Sequence, residues 1–294
     1  MRISVVIATK DRAAYLERAI DSLCKQLAAP SYEIVVVDNG STDGTKAVAA
    51  LFASRGRPVR YVYEGEPNRG KARNRGVEAA EGYLILFCDD DVQAPPGFLA
   101  AHEVAHTSSN LVVNGPILNV ASYEDRPKPA LANYSRAFLC TCNVSLPRHA
   151  IVAVGGFDEA FHLYGWEDTE LGVRLREAGL AWKFAWDAYI WHVKPPSENT
   201  IEVETAKALE KARMAARFVR KQPSSRARMA TGAHRANLLR GKYLIPEGLL
   251  AIFAGVATSD ALPPALRSLA RAQFLDGMYT KELARTLERE RRDA

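Results

Sequence analysis

Four cysteines in 294 residues leave little material for covalent or metal scaffolding. They are Cys24, Cys88, Cys140 and Cys142, and Cys140-Thr-Cys142 has no second pair to complete a four-ligand zinc site. Small buried thiols in a reducing compartment are the expectation. Long apolar runs are also scarce. The longest candidate, Gly248 to Ala257, falls short of the roughly 18 residues that span a bilayer. The N-terminus does not read as a signal peptide, because Met1-Arg2 leads directly into Ile-Ser-Val-Val-Ile-Ala-Thr, a strand and a polar loop. Glycine is missing from Ala8-Thr9-Lys10-Asp11-Arg12, so this loop is not a glycine-rich triphosphate cradle. No internal repeat is present.

A hydrophobic content of 48% supports a sizeable core. The net charge of +5 is unevenly spread. From Ile201 onward 18 basic residues face 10 acidic ones, a net of +8, whereas residues 1–200 hold 21 against 24, a net of −3. Between Lys207 and Lys242 eleven basic residues stand against the single acid Glu210. This asymmetry divides the chain into two functional regions.

Over the first 120 residues, short β-type runs alternate with helical patterns. Ser4–Ala8, Glu33–Val37, Val59–Tyr63, Tyr83–Cys88 and Leu111–Asn114 read as strands. Between them Asp11–Leu27, Thr45–Ala53 and Ala72–Ala80 have helical spacing. This rhythm predicts a mostly parallel sheet covered on both faces, with ligands at the carboxyl ends of the strands. Further on, Ala137–Leu146 reads as a strand, Glu167–Ala178 as a helix closed by Gly179, and Trp182–Trp191 as a strand leading into His192. Lys221–Arg228 reads as a linker.

The strongest single signal is Leu84-Ile-Leu-Phe-Cys-Asp-Asp-Asp91. A buried strand ends in three carboxylates, an arrangement that is costly unless a divalent cation neutralises it. Extended alternation would put Asp89 and Asp91 on one side and Asp90 on the other. A metal–diphosphate site at the strand end is the functional reading; an acidic, solvated turn is the alternative.

Six segments in order then resemble glycosyltransferase family 2: Val5–Arg12, Glu33–Thr45, Asn68–Asn74, Asp89–Asp91, Gly155–Asp158 and Gly165–Asp168. Ala8 stands where that family usually has proline. The resemblance covers about residues 1–195 and implies an α/β fold of GT-A type, a Rossmann-like mostly parallel sheet flanked by helices, with a C-terminal helical extension. It implies a catalytic domain over residues 1–200, with a nucleotide-binding half to about residue 118 and an acceptor-binding half over 119–200. A basic helical region over 201–294 follows. The implied donor is a nucleoside-diphosphate sugar, UDP-linked in the first instance, and the acceptor a glycan or lipid-linked hydroxyl. Ala8, Thr9, Asp11, Arg12, Asp38, Asn68, Lys71, Arg73, Asp89 and Asp90 would contact the donor. Asp91, Asp89 and His192 would hold Mn²⁺ or Mg²⁺. Asp168 would be the general base, Glu167 would assist it, and Trp166 with Glu167 would contact the acceptor.

The residues themselves leave alternatives open. Asp38 is equally a turn aspartate in Asp-Asn-Gly-Ser, Asp11 a first-turn acid, and Lys71 and Arg73 a solvated helix face. Glu167 and Asp168 also suit a helix N-terminus without catalysis. Trp166 is equally a packing residue. Polyprenyl-phosphate sugar synthases and sugar nucleotidyltransferases share the sheet. So does a non-catalytic sugar-binding protein, although that has no need of a base. In the basic C-terminal region a packed helical appendage competes with peripheral attachment to an anionic membrane surface. The location expected is cytoplasmic, on the inner face of the membrane if attached. Nucleic acid is not an expected partner, since interleaved aromatics are lacking.

Overall fold

In the computed structural model, residues 1–194 and 200–292 are described. The chain forms two compact units, Met1–His162 with Glu167–Pro195, and Leu163–Trp166 with Pro196–Ala294. The expected boundary at residue 200 adjoins residues 195–199, which lie outside the described residues.

The first unit alternates strand and helix as its apolar spacing dictates: β1 (Ile3–Thr9), α1 (Ala13–Leu23), β2 (Tyr32–Asp38), α2 (Thr45–Ser54), β3 (Val59–Tyr63), α3 (Arg69–Ala79) and β4 (Leu84–Cys88). Then come β5 (Val92–Gln93), α4 (Phe98–Ala105), β6 (Leu111–Asn114), β7 (Ile117–Val120), β8 (Asn143–Pro147), α5 (Arg148–Ala153), α6 (Glu167–Glu177), β9 (Ala181–Phe184) and β10 (Ile190–Val193). A seven-stranded sheet runs in the order β3-β2-β1-β4-β8-β6-β9, and a small sheet in the order β5-β10-β7. The strands β3, β2, β1 and β4 are parallel, while β8 runs antiparallel to both its neighbours.

Alternation along β1 explains the two cores. Ile3, Val5 and Ile7 face α1 and α4, meeting Leu16, Ile20, Leu23 and Phe98. Val6 faces α3 and α6 with Phe87, Phe157, Leu171 and Leu175. Each fully buried side chain of this size contributes about 1.5–3 kcal/mol, so strands apolar on both faces are favoured. Helix α3 lies close on β1 because Gly76 leaves the space: a Cβ there would sit 2.3 Å from Val6 Cγ1. That approach fixes the helix that carries Arg73.

Three expectations need correction. Residues 137–142 are not strand, and β8 begins only at Asn143. Trp182–Trp191 is two strands, β9 in the large sheet and β10 in the small one, so His192 lies inside β10. The intervening Ala185 donates to Asn114 O and Ala188 donates back to Ala185 O, closing a turn that the aromatic run disguises. The Lys221–Arg228 linker shrinks to residues 222–224 between two helices.

The second unit is helical: α7 (Ile201–Lys221), α8 (Ser225–Thr231), α9 (Arg235–Leu239), α10 (Glu247–Thr258) and α11 (Pro264–Arg292). Ala212, Ala215, Ala216 and Val219 of α7 pack with Leu283 of α11. Among the described residues, no helix is long and apolar enough to cross a membrane.

Candidate active site

Parallel pairing brings the carboxyl ends of β1, β2 and β4 side by side, with Thr9 opposite Asp38 in register. The chain turns sharply after Cys88, so the alternation expected for the three aspartates does not hold. Asp90 and Asp91 both meet Arg12, at 3.3 and 3.1 Å, and Asp90 also accepts from Thr9 Oγ1 at 2.6 Å. Burial pushes the Asp90 carboxyl up to about 7, against the pull of Arg12 and Thr9. Asp91 is also buried, but His192 and Arg12 outweigh that penalty and hold it below the ordinary carboxylate range.

Asp89 points elsewhere. One of its oxygens, Nε2 or Nδ1 of His192 and the Cys142 thiol all lie within 4.8 Å of one another. His192 Nδ1 is 3.0 Å from Asn119 Oδ1. Donation from Nδ1–H to that oxygen leaves Nε2 with its lone pair exposed as a ligand. Nε2 lies 3.0 Å from the buried Asp91 Oδ1. Two lone-pair atoms so close repel each other unless a cation or proton lies between them. The carboxylates suit a hard divalent ion such as Mn²⁺ and the imidazole is compatible with one, whereas the buried thiol, its pKa pushed up by desolvation, stays protonated beside them. The residues therefore fit the expected metal, with Cys142 added to the neighbourhood.

Arg73 connects this corner to the expected base. Its guanidinium reaches Glu167 at 3.3 Å, Asp168 at 3.8 Å and Asp89 at 3.9 Å, with only 12% of the side chain exposed. Glu167 and Asp168 open α6, where the helix dipole favours negative charge. The preceding Gly165 and Trp166 both adopt positive φ, 95° and 74°, a conformation that is free for glycine but strained for tryptophan. Thr141 donates to Asp168 Oδ2 from its N–H at 2.8 Å and from Oγ1 at 2.9 Å. Burial raises the Asp168 carboxyl; Arg73 opposes it and Glu167 adds to it, leaving the group at about 6. Asn74, next to Arg73, clasps the Gly155–Asp158 segment: its Oδ1 accepts from Phe157 N and its Nδ2 donates to Phe157 O. Gly156, at φ 68°, admits it, since a Cβ would stand 2.5 Å from Asn74 Oδ1.

Other residues singled out in the sequence have defined local partners. Asp38 is buried and accepts from Ser41 N–H and Tyr61 O–H, at 2.8 and 2.7 Å. Asp11 is no helix acid: α1 begins at Ala13, whose N–H donates to Asp43, while Asp11 at φ 52° accepts from Thr42. Asn68 caps α3 and also donates to Glu159 O. Lys71 pairs with Glu64 and Glu66. Ala8 is a half-buried residue next to Thr9 on β1. Trp166 belongs to the helical unit, where its ring stacks on Phe218 at 5.6 Å and its Nε1–H donates to Lys211 O. Sequence reasoning missed Cys142, Asn119 and Thr141. Cys142 precedes Asn143, which pairs with Cys88, so the register of β8 against β4 brings the thiol near the aspartates. Nothing in linear spacing reports that register.

Residues 4–133 match the family model described as Glycosyl transferase family 2, and residues 128–194 match N-terminal domain of galactosyltransferase. Validoxylamine A glucosyltransferase of Streptomyces hygroscopicus subsp. limoneus is 31% identical over 264 residues, covering 76% of this chain and 57% of that protein. Chondroitin synthase of Escherichia coli is 24% identical over 255 residues, covering 71% of this chain and 37% of that protein. The chain thus spans less than two thirds of the length of these curated relatives. Among solved structures, mannosyltransferase PcManGT from Pyrobaculum calidifontis, in complex with GDP-Man and Mn²⁺, has a TM-score of 0.67 at 19% identity, covering 98% of this chain and 87% of that one. S. aureus TarS in complex with UDP-GlcNAc has a TM-score of 0.58 at 19% identity, covering 100% and 92%. At such identity the structural likeness speaks for the fold.

Proposed function

Through residues 4–133 the chain belongs to glycosyl transferase family 2 and has the GT-A fold, and from that premise we propose that it is a metal-dependent inverting glycosyltransferase. Its donor is a nucleoside-diphosphate sugar, with UDP the nucleotide of first choice, and its acceptor a hydroxyl of a glycan or lipid-linked glycan. One observation carries the reading. A single buried guanidinium, Arg73, reaches both the carboxylate of the metal corner and the pair Glu167 and Asp168. Departure of the diphosphate and deprotonation of the acceptor therefore fall within one site.

The chemistry follows from the partners. Inverting transfer needs one carboxylate to take the acceptor proton as the hydroxyl attacks the anomeric carbon opposite the leaving group. Thr141 occupies mainly Oδ2 of Asp168, which leaves Oδ1 as the oxygen to receive that proton. A raised pKa near 6 makes it a stronger base than a free aspartate while keeping it ionised at neutral pH. Arg73 holds the two acids in place and offsets their mutual repulsion. A divalent cation, held by Asp89, Asp91 and His192 with the Cys142 thiol alongside, would stabilise charge on the leaving diphosphate. On the donor side, Asp38 has lone pairs left to accept an imide N–H of uracil, with Thr9, Asp11 and Arg12 at the same sheet edge. A polyprenyl-phosphate synthase, whose acceptor is already an anion, has no use for Asp168.

The test is a screen of UDP-, GDP- and dTDP-sugars for hydrolysis and thermal stabilisation, with Mn²⁺ and after chelation. Metal-dependent turnover of one nucleotide class is the expected result; stabilisation by none of them would reject the reading. Attachment to an anionic membrane belongs to the same proposal, supported by exposed Lys207, Lys211, Arg226 and Arg228 and by exposed Leu244, Leu249 and Ile252. Basic residues near such a surface contribute about 1 kcal/mol each. Co-sedimentation with liposomes that rises with anionic lipid and falls with salt is the expected outcome.

A further inference from the structure

Beside the catalytic residues, in the same unit, lies a cavity of about 370 Å³. Its lining includes Asn114 at the end of β6, Asn119 of β7, Asn133, Tyr134 and Ser135 of the following loop, and Cys140. Two of these residues tie it to the chemistry. Asn119 holds His192 of the metal corner, and Cys140 adjoins Thr141, which holds Asp168. The cavity therefore borders both ends of the reaction.

Its composition selects the ligand. Among the described residues no charged side chain lines it, so a diphosphate or a carboxylated sugar would enter without a counter-charge. Amides and a hydroxyl dominate instead. Asn114 is almost wholly buried, its Nδ2 donates to Phe138 O, and its Oδ1 has no hydrogen-bond donor. That oxygen has almost no exposed surface, so Asn114 shapes the floor of the cavity, and Asn119, Asn133 and Ser135 supply its polar lining. Ser135 accepts at Oγ from Ala137 N–H and keeps its own proton to give. One wall is aromatic and continues outward: Tyr134 lies 5.0 Å from Phe184 and 6.1 Å from Trp186, the latter nearly parallel at 23°. Tyr134 and Trp186 are 45% and 39% exposed, so this face is open to a ring outside the cavity.

We propose that this cavity is the acceptor subsite and takes the terminal ring of an uncharged sugar chain, with the next ring stacked against Tyr134 and Trp186. The proposal rests on the transferase reading for its link to catalysis, but binding can be measured without turnover. The full chain is titrated with neutral methyl glycosides and disaccharides of glucose, galactose, mannose and N-acetylglucosamine, with a methyl glucuronide as the charged control. Saturation-transfer NMR and tryptophan fluorescence report binding, and donor affinity is measured in parallel by calorimetry. At least one neutral disaccharide should bind at millimolar concentration, and the glucuronide should not. Tyr134→Ala and Trp186→Ala should each weaken it tenfold or more while shifting donor affinity less than twofold. Ser135→Trp, which fills the cavity and leaves the aromatic wall in place, should abolish it. Binding of no neutral sugar, or undiminished binding in these variants, overturns the proposal. Loss of donor affinity instead would assign the cavity to the donor sugar and overturn it equally. If no nucleotide sugar is hydrolysed yet the neutral sugars bind as described, the transferase reading fails and the subsite stands.

Discussion

The two units treat charge in opposite ways. In the helical unit, several basic side chains meet acids across helices: Arg213 with Glu282 at 2.6 Å, Arg271 with Glu204 at 2.6 Å, Lys242 with Glu288 at 3.0 Å. In the sheet unit, three carboxylates share Arg73 within 4 Å, two share Arg12, and the buried Oδ1 of Asp91 faces the His192 ring nitrogen at 3.0 Å. Paired surface charge is structure, and each pair is worth little. Underpaired buried charge is costly, and the fold bears it where a ligand completes the set. Part of the basic excess between Lys207 and Lys242, so prominent in the sequence, thus pairs with acids of α11, through Arg213, Arg220, Arg240 and Lys242.

The largest effect that would sharpen this contrast is expected at Asp168. Asp168→Asn keeps size and polarity but removes the proton-accepting oxygen. Transfer should fall by about 10²–10⁴-fold while donor affinity measured by calorimetry is retained. Near-normal turnover would move the base to Glu167.

This prediction was legible in the sequence, and so was most of the frame. Contiguous apolar runs at Ser4–Ala8, Glu33–Val37 and Leu84–Cys88 are strands buried on both faces, and their ends carry Thr9, Asp38 and the aspartates. What sequence could not report was register and turning within apolar stretches. Trp182–Trp191 hides a turn with no glycine or proline to mark it, which is why His192 was expected after a strand rather than within one. Cys142 looked like a spare thiol because only the β8–β4 pairing places it near Asp89. Asn119 and Thr141 act through partners 73 and 27 residues away, beyond any local pattern.

A smaller effect is expected where a residue works only by orienting a ligand. Asn119→Ala frees Nδ1 of His192, so affinity for Mn²⁺ should drop by about 10–100-fold, read by calorimetry with the metal alone. Unchanged affinity would remove His192 from the metal corner. The pH dependence follows from Asp168 in its raised state. A base must be deprotonated, so kcat/KM should fall about tenfold per unit below about pH 6. An ordinary aspartate would hold the plateau down to about pH 4. The smallest effect belongs to the helical unit. Arg213→Ala removes an ion pair that is half exposed on the arginine side and should change stability in urea by no more than about 1 kcal/mol, with turnover unaffected. A large loss of turnover would show that the contrast between the units is wrong.

Stereochemistry tests the central claim most directly. When an α-linked UDP-sugar is turned over with water as acceptor in the presence of Mn²⁺, proton NMR recorded before mutarotation identifies the first-formed anomer. Direct attack opposite the diphosphate, with Asp168 as the base, predicts the β-anomer. The α-anomer would contradict the account, since it requires either a double displacement or attack on the face the diphosphate leaves.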